Sequence, residues 1–168
     1  MGRVELRGPP ANALDRPDFV ELEALRQFLA TPTLKGVIVA GSGRHFCAGA
    51  RLDQLDRALA DPPGLARGLA EGKRLLDALA DATVPVVAAI RGQCLGAGLE
   101  LALACHFRVA GSGSMFGFPE AKRGLLPGLG GTAPLGARPS RQTLIDLILT
   151  ARLVGAEEAL GAGLIDRL

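Results

Sequence analysis

The sequence is poor in cysteine, close to neutral in charge and without a long uninterrupted apolar run. Its three cysteines, Cys47, Cys94 and Cys105, are odd in number and lie in apolar contexts. That pattern speaks against a disulfide framework and for buried, reduced thiols in a reducing cytoplasm. A formal charge of +2 argues against general nucleic-acid binding, which asks for a strongly basic face, while leaving room for a local anion site. No basic-then-apolar leader opens the chain. Glu, Arg, Lys or Asp breaks each apolar stretch well before membrane-spanning length, so neither secretion nor a membrane anchor is expected. There is also no repeat of fixed period, no low-complexity tract and no linker. What remains is a chain of 168 residues, 48% of them hydrophobic, long enough to bury a real core as one domain over residues 1–168 and too apolar for disorder.

Strand-like and helix-like segments alternate along it. Residues 36–40, "GVIVA", and 84–90, "VPVVAAI", are short β-branched runs bounded by turn residues, as expected for strands buried on both faces. Residues 17–29 place Phe19, Leu22, Leu25 and Leu29 on one face behind Asp15, Arg16 and Pro17, which predicts an amphipathic helix with its start signal. Further helices are expected over 64–80, from near Gly98, and over 140–150 and 156–162. Strands are expected at 107–111 and 163–168. The alternation implies an α/β fold. The Pro/Gly cluster at 124–139 reads as a long active-site or interface loop.

Three segments carry the chemistry. "GQCLGAGLELALAC", Gly92 to Cys105, runs a glycine turn into an apolar helix and places Glu100 at the junction. A carboxylate there is costly to ionise, which should raise its pKa toward a range useful for proton transfer. Gly96, Ala97 and Gly98 let a substrate approach the backbone, whose N–H groups point outward at the helix start and can hold a developing oxyanion. The competing reading is that Glu100 only complements the helix N-terminus. "AGSGRHFCAGARL", Ala40 to Leu52, again follows a buried strand and exposes backbone around Ala48, Gly49 and Ala50. Neither turn continues into a phosphate-loop lysine or fits a dinucleotide fingerprint. "MFGFPEAKRGLLPGLGG", Met115 to Gly131, contributes a second acid, Glu120, after Pro119; alone such an acid is more often a helix-start residue than a catalyst.

Together, "GRHFCAGARL", "VVAAIRGQCLGAGLELALACHFRVAG" and "FGFPEAKRGLLPGLGGT", with "LILTARLVGAEEALGAGLIDRL" behind them, resemble the crotonase (enoyl-CoA hydratase/isomerase) superfamily from about Asn12 onward. The resemblance implies a spiral of ββα units, assembled as trimers or hexamers, acting on acyl thioesters of coenzyme A. It implies no permanently bound cofactor and no metal, with coenzyme A entering as part of the substrate. By the same resemblance Ala50 and Ala97 supply the oxyanion hole, Glu100 and Glu120 are the catalytic acids of the hydratase subgroup, and Cys47, Ala48, Gly49, Gly96 and Gly98 are expected to bind substrate. The function implied is reversible hydration of a 2-enoyl thioester. A cyclic dienoyl thioester as substrate, and a noncatalytic subunit binding an acyl carrier or partner protein, are the alternatives.

The sequence departs from that pattern at named positions. Ala97 stands where the family usually has glycine, so a positive φ there would cost it about 1 kcal/mol or more. Arg51 replaces a usual acid and is expected either to meet a cofactor phosphate or to be solvated. His106 also replaces an acid and is expected to be a packing or surface residue. The chain stops at Leu168, before the helical segment that commonly covers the acyl pocket. A neighbouring subunit, or a separate chain or domain, is expected to provide that cover.

Overall fold

The computed structural model describes residues 1–130 and 139–168. Strands β1 (Gly2–Leu6), β2 (Val37–Gly41), β3 (Val86–Ile90) and β5 (Phe107–Ala110) form a parallel sheet in the order β1-β2-β3-β5. A second sheet joins β4 (Gln93–Leu95) in parallel to β6 (Met115–Gly117), which pairs antiparallel with β7 (Leu153–Gly155). Parallel neighbours need crossovers, and helices supply them. α1 (Leu22–Leu29) links β1 to β2, α2 (Leu52–Leu59) and α3 (Pro62–Ala80) link β2 to β3, and α4 (Ala97–Ala104) leads into β5. α5 (Arg141–Thr150) and α6 (Ala156–Gly161) flank β7.

Burial explains the apolar runs. Val37, Val39, Val86 and Ala88 are fully enclosed where β2 and β3 stand between neighbouring strands. Seven of the eight residues of α4 are buried, so its apolar surround is that of an internal helix rather than an amphipathic one. Phe46, Phe116 and Phe118 join the hydrophobic core with no exposure, each side chain contributing roughly 1.5–3 kcal/mol of apolar burial. Among the described residues, no helix is long and apolar enough to cross a membrane.

The strands at 36–40 and 84–90 and the helices over 64–80, 140–150 and 156–162 form within a few residues of their expected bounds. Two segments differ. The helix expected from Pro17 begins only at Leu22, because Glu21 caps it by accepting the Glu23 and Ala24 N–H groups at 3.0 and 2.6 Å. Pro17 instead presses its carbonyl against α3, where an added Cβ on Gly72 would meet it at 2.6 Å. The strand expected at 163–168 is instead a turn and bends, folded back on α6 through Leu164 N–H to Ala159 O at 2.8 Å, with a single bridge, Val109 to Arg167. Asp166 turns inward to pair with Arg108 at 2.8 Å, both side chains almost fully buried, while the backbone beside it meets β5 through Asp166 N–H to Arg108 O and Ala110 N–H to Arg167 O, both at 3.0 Å. Of the loop expected at 124–139, residues 131–138 lie outside the described residues.

Candidate active site

Two backbone turns meet over β4. The first leaves β2 and is fastened to β4 by Cys47, whose N–H donates to Gln93 O at 3.0 Å and whose carbonyl accepts from Leu95 N–H at 2.9 Å. Beyond Cys47 the chain passes through Gly49 at φ 93°, a left-handed conformation that glycine adopts without steric cost, and reaches Ala50. The second turn is Gly96, at φ 51°, followed by Ala97 as the first residue of α4. A Cβ added to Gly49 would lie 3.0 Å from Leu95 O and 3.6 Å from Ala97 N, so the two turns abut backbone to backbone. Among the described residues, neither Ala50 N–H nor Ala97 N–H donates to another group. For Ala97 this follows from its place, since the first N–H groups of a helix have no intrahelical acceptor.

The positive φ that would strain Ala97 falls on Gly96 instead. Ala97 adopts ordinary helical geometry, and its methyl group is accommodated without backbone strain.

The acids approach from two elements. Glu100 lies in the first turn of α4, is 3% exposed, and accepts Leu129 N–H at 2.7 Å through Oε1. Glu120 sits in the 3-10 turn Pro119–Arg123 that follows β6, with Oε1 against Gly96. Its Oε2 is buried with no hydrogen-bond partner among the described residues. Burial pushes the Glu120 carboxyl up to about 7; its own backbone N–H offsets part of that, and the Glu100 charge adds to the rise.

One cavity of about 210 Å³ brings Ala50, Ala97, Glu100 and Glu120 to a common space. Much of its remaining wall is leucine, with Leu55 and Leu59 from α2, Leu65 and Leu69 from α3, and Leu125 and Leu129 from the segment after the 3-10 turn, and Asp15, Arg16, Arg51 and Gln54 also line it. A second cavity of about 540 Å³ opens on the other side of Ala50 and Glu120, lined by Ala48, Gly49, Gly96, Lys122 and Arg123 among others. Cys47 and Gly98 line neither. Cys47 is fully enclosed, and its Sγ would lie 2.9 Å from a Cβ on Gly98, so this glycine lets the helix start settle onto the first turn. A further cavity of about 550 Å³, lined by β1 and α1, contains none of the four convergent groups.

Arg51 is neither free in solvent nor unengaged. It pairs with Asp15 at 3.1 Å and Asp53 at 2.9 Å at the start of α2. His106 is a backbone brace: Nδ1 accepts Val86 N–H at 3.0 Å and Nε2 reaches Ala80 O at 2.9 Å, joining the end of α3 to β3. Sequence reasoning missed two contributors. Leu129 acts through its main chain, which no side-chain motif reveals, and Asn12 is buried against the first turn through contacts 30 and 33 residues away.

The family model for enoyl-CoA hydratase/isomerase matches residues 1–168. The chain is 36% identical over 170 residues to the peroxisomal bifunctional enzyme of Cavia porcellus, covering 100% of this chain and 23% of that protein. It is 39% identical over 168 residues to the fatty acid oxidation complex subunit alpha of Idiomarina loihiensis, covering 96% of this chain and 23% of that one. Among solved structures it is similar to an enoyl-CoA hydratase from Polaromonas sp. JS666, with a TM-score of 0.89, 30% identity and coverage of 99% of this chain and 66% of that chain. An enoyl-CoA hydratase from Bacillus anthracis superposes with a TM-score of 0.83 at 31% identity, covering 98% of this chain and 64% of that chain. The chain therefore spans less than a quarter of these two longer relatives.

Proposed function

The chain belongs to the enoyl-CoA hydratase/isomerase family, and on that premise we propose that it adds water reversibly across the 2,3-double bond of an acyl thioester of coenzyme A. The observation that carries this reading is the convergence of two unpaired backbone N–H groups and two carboxyl groups on one small, leucine-walled cavity. A thioester carbonyl placed between the turns receives hydrogen bonds from Ala50 and Ala97. These strengthen as negative charge develops on its oxygen, each donor being worth roughly 3–4 kcal/mol in the transition state.

The acids divide the proton work. At neutral pH Glu120 retains a substantial protonated fraction and serves as the acid, while Glu100, steadied by Leu129 N–H, serves as the base. Water held between them loses a proton to Glu100 as its oxygen bonds to the 3-carbon. The π electrons move toward the thioester oxygen, and the enolate then takes the Glu120 proton at the 2-carbon. Transfer of the proton from Glu100 back to Glu120 resets the pair. Retention of both acids favours hydration over isomerisation, for which one acid is enough.

The leucine-rich part of the wall favours an aliphatic acyl group over the cyclic dienoyl alternative by offering extended apolar contact. The test is turnover of a panel of 2-enoyl-CoA thioesters of increasing chain length, followed by loss of the conjugated-thioester absorbance. Saturable turnover supports the hydratase reading. Thioester binding without turnover by any member of the panel overturns it in favour of a noncatalytic acyl-binding subunit.

A further inference from the structure

Asn12 is one of the buried polar side chains that the proposed mechanism leaves unused. It is 6% exposed, its backbone is left-handed at φ 55°, and its amide is spent on the loop that leaves β2. Nδ2 donates to Ser42 O at 2.9 Å and to His45 O at 2.8 Å. Oδ1 accepts the Ser42 hydroxyl at 3.1 Å and the Gly8 N–H at 3.4 Å. Gly41 makes room for that amide, because an added Cβ there would lie 2.7 Å from Nδ2 and overlap the His45 and Phe46 carbonyls.

The backbone on either side of Asn12 continues the attachment. Ala11 O accepts Ala48 N–H at 3.0 Å, Leu14 N–H donates to Gly49 O at 2.8 Å, and Leu14 O accepts Arg51 N–H at 2.8 Å. In this parallel bridge Leu14 engages the residues before and after Ala50. The Ala50 N–H is thereby turned off the ladder, away from the Leu14 strand. Gly49, at φ 93°, is too permissive to hold that direction alone, and β4 fastens the loop only as far as Cys47.

We propose that Asn12 is a positioning residue for the oxyanion donor: by clamping the 42–45 turn to the Ala11–Leu14 segment it sets where the Ala50 N–H points. This rests on the hydratase reading, and the experiment separates the two. Asn12→Asp keeps the size and the tolerance for a left-handed backbone but replaces both carbonyl-directed donors with an acceptor. Asn12→Gly keeps the backbone conformation and removes the clamp.

In the full chain, with circular dichroism confirming the fold, each variant should lower kcat roughly ten- to a hundredfold, the scale of a misplacement of about 1 Å at a reacting centre. KM should stay within about threefold. The infrared stretch of an isotope-labelled thioester carbonyl in bound butanoyl-CoA should move to lower frequency on the wild-type chain and move less on both variants. Should Asn12→Asp fail to fold, Asn12→Gly and Ser42→Ala, which removes one hydrogen bond to Oδ1, give the same readouts, the latter with a smaller effect. Folded variants with near wild-type kcat and an undiminished carbonyl shift overturn the inference, as does a rise in KM at constant kcat. A wild-type chain that neither turns over enoyl thioesters nor shifts the carbonyl overturns the hydratase reading, and the inference with it.

Discussion

At the scale of single residues, the site turns on which atoms carry protons and which donors are left over. The Glu120 carboxyl is held up to about 7 against an ordinary value of 4.5, mainly by burial. If it is the acid of the proposed hydration, turnover should fall as pH rises through about 7. Stability should follow the same sign. Between the ordinary and the raised value the folded chain retains a proton that the unfolded chain has lost, so stability declines from about pH 4.5 to about pH 7 and levels off above. Glu120→Gln should lower kcat at least about a hundredfold and flatten this part of the denaturation profile, as kinetics and urea unfolding across pH will check. Ala97 permits a clean deletion of a donor. As the first residue of α4 it occupies the helical position where proline is best tolerated. Ala97→Pro should therefore fold normally while losing about a hundredfold or more in kcat; a folded proline variant with undiminished turnover removes Ala97 N–H from the oxyanion hole.

At the scale of elements, α3 carries a glycine whose reason lies outside the helix. Gly72 is buried in its middle, where glycine costs about 1 kcal/mol relative to alanine. A Cβ there would meet Leu129 Cδ2 and Pro17 O, both at 2.6 Å. One neighbour is main chain and the other belongs to the residue whose N–H holds Glu100. Gly72→Ala should consequently give up its helix-propensity gain to overpacking, ending roughly 1–2 kcal/mol less stable, and should lower kcat by displacing Leu129. Chemical denaturation and steady-state kinetics measure the two effects separately. Of these elements, α4 and α3 are legible from apolar content and length. The three-residue strands β4, β6 and β7 are not, because three residues show too little alternation to separate a strand from a loop. The late start of α1 escapes for another reason. Asp15, Arg16 and Pro17 form a valid local start signal, but packing against α3 engages Pro17 elsewhere and leaves Glu21 to cap.

At the scale of the whole molecule, a buried ion pair ties the end of the described chain to the sheet. Arg108 donates through Nη1 to Cys105 O at 2.9 Å and pairs through Nη2 with Asp166 at 2.8 Å, while Asp166 Oδ2 also accepts the Arg108 backbone N–H at 2.9 Å. Removing the acid leaves a guanidinium enclosed without its countercharge, so Asp166→Ala should cost about 3–5 kcal/mol. Thermal and urea unfolding will show this as a large loss if the latch carries stability, and as a change under about 1 kcal/mol if solvent replaces the carboxylate.

The order of turn, turn, acid and acid along the chain is set by the sequence itself. So are the apolar runs that become β2, β3 and α4, because local composition decides burial and period. The sequence places Glu100 and Glu120 20 positions apart and Ala50 47 positions before Ala97, and nothing in those intervals specifies a distance in space. Tertiary structure decided that Ala50 and Ala97 share one cavity, that a main-chain N–H from Leu129 steadies Glu100, and that Asn12 holds the loop behind Ala50. It decided as well that Gly96, rather than Ala97, takes the left-handed conformation. Each of these depends on backbone directions and on pairings between distant segments, and a backbone N–H has the same identity in every residue except proline.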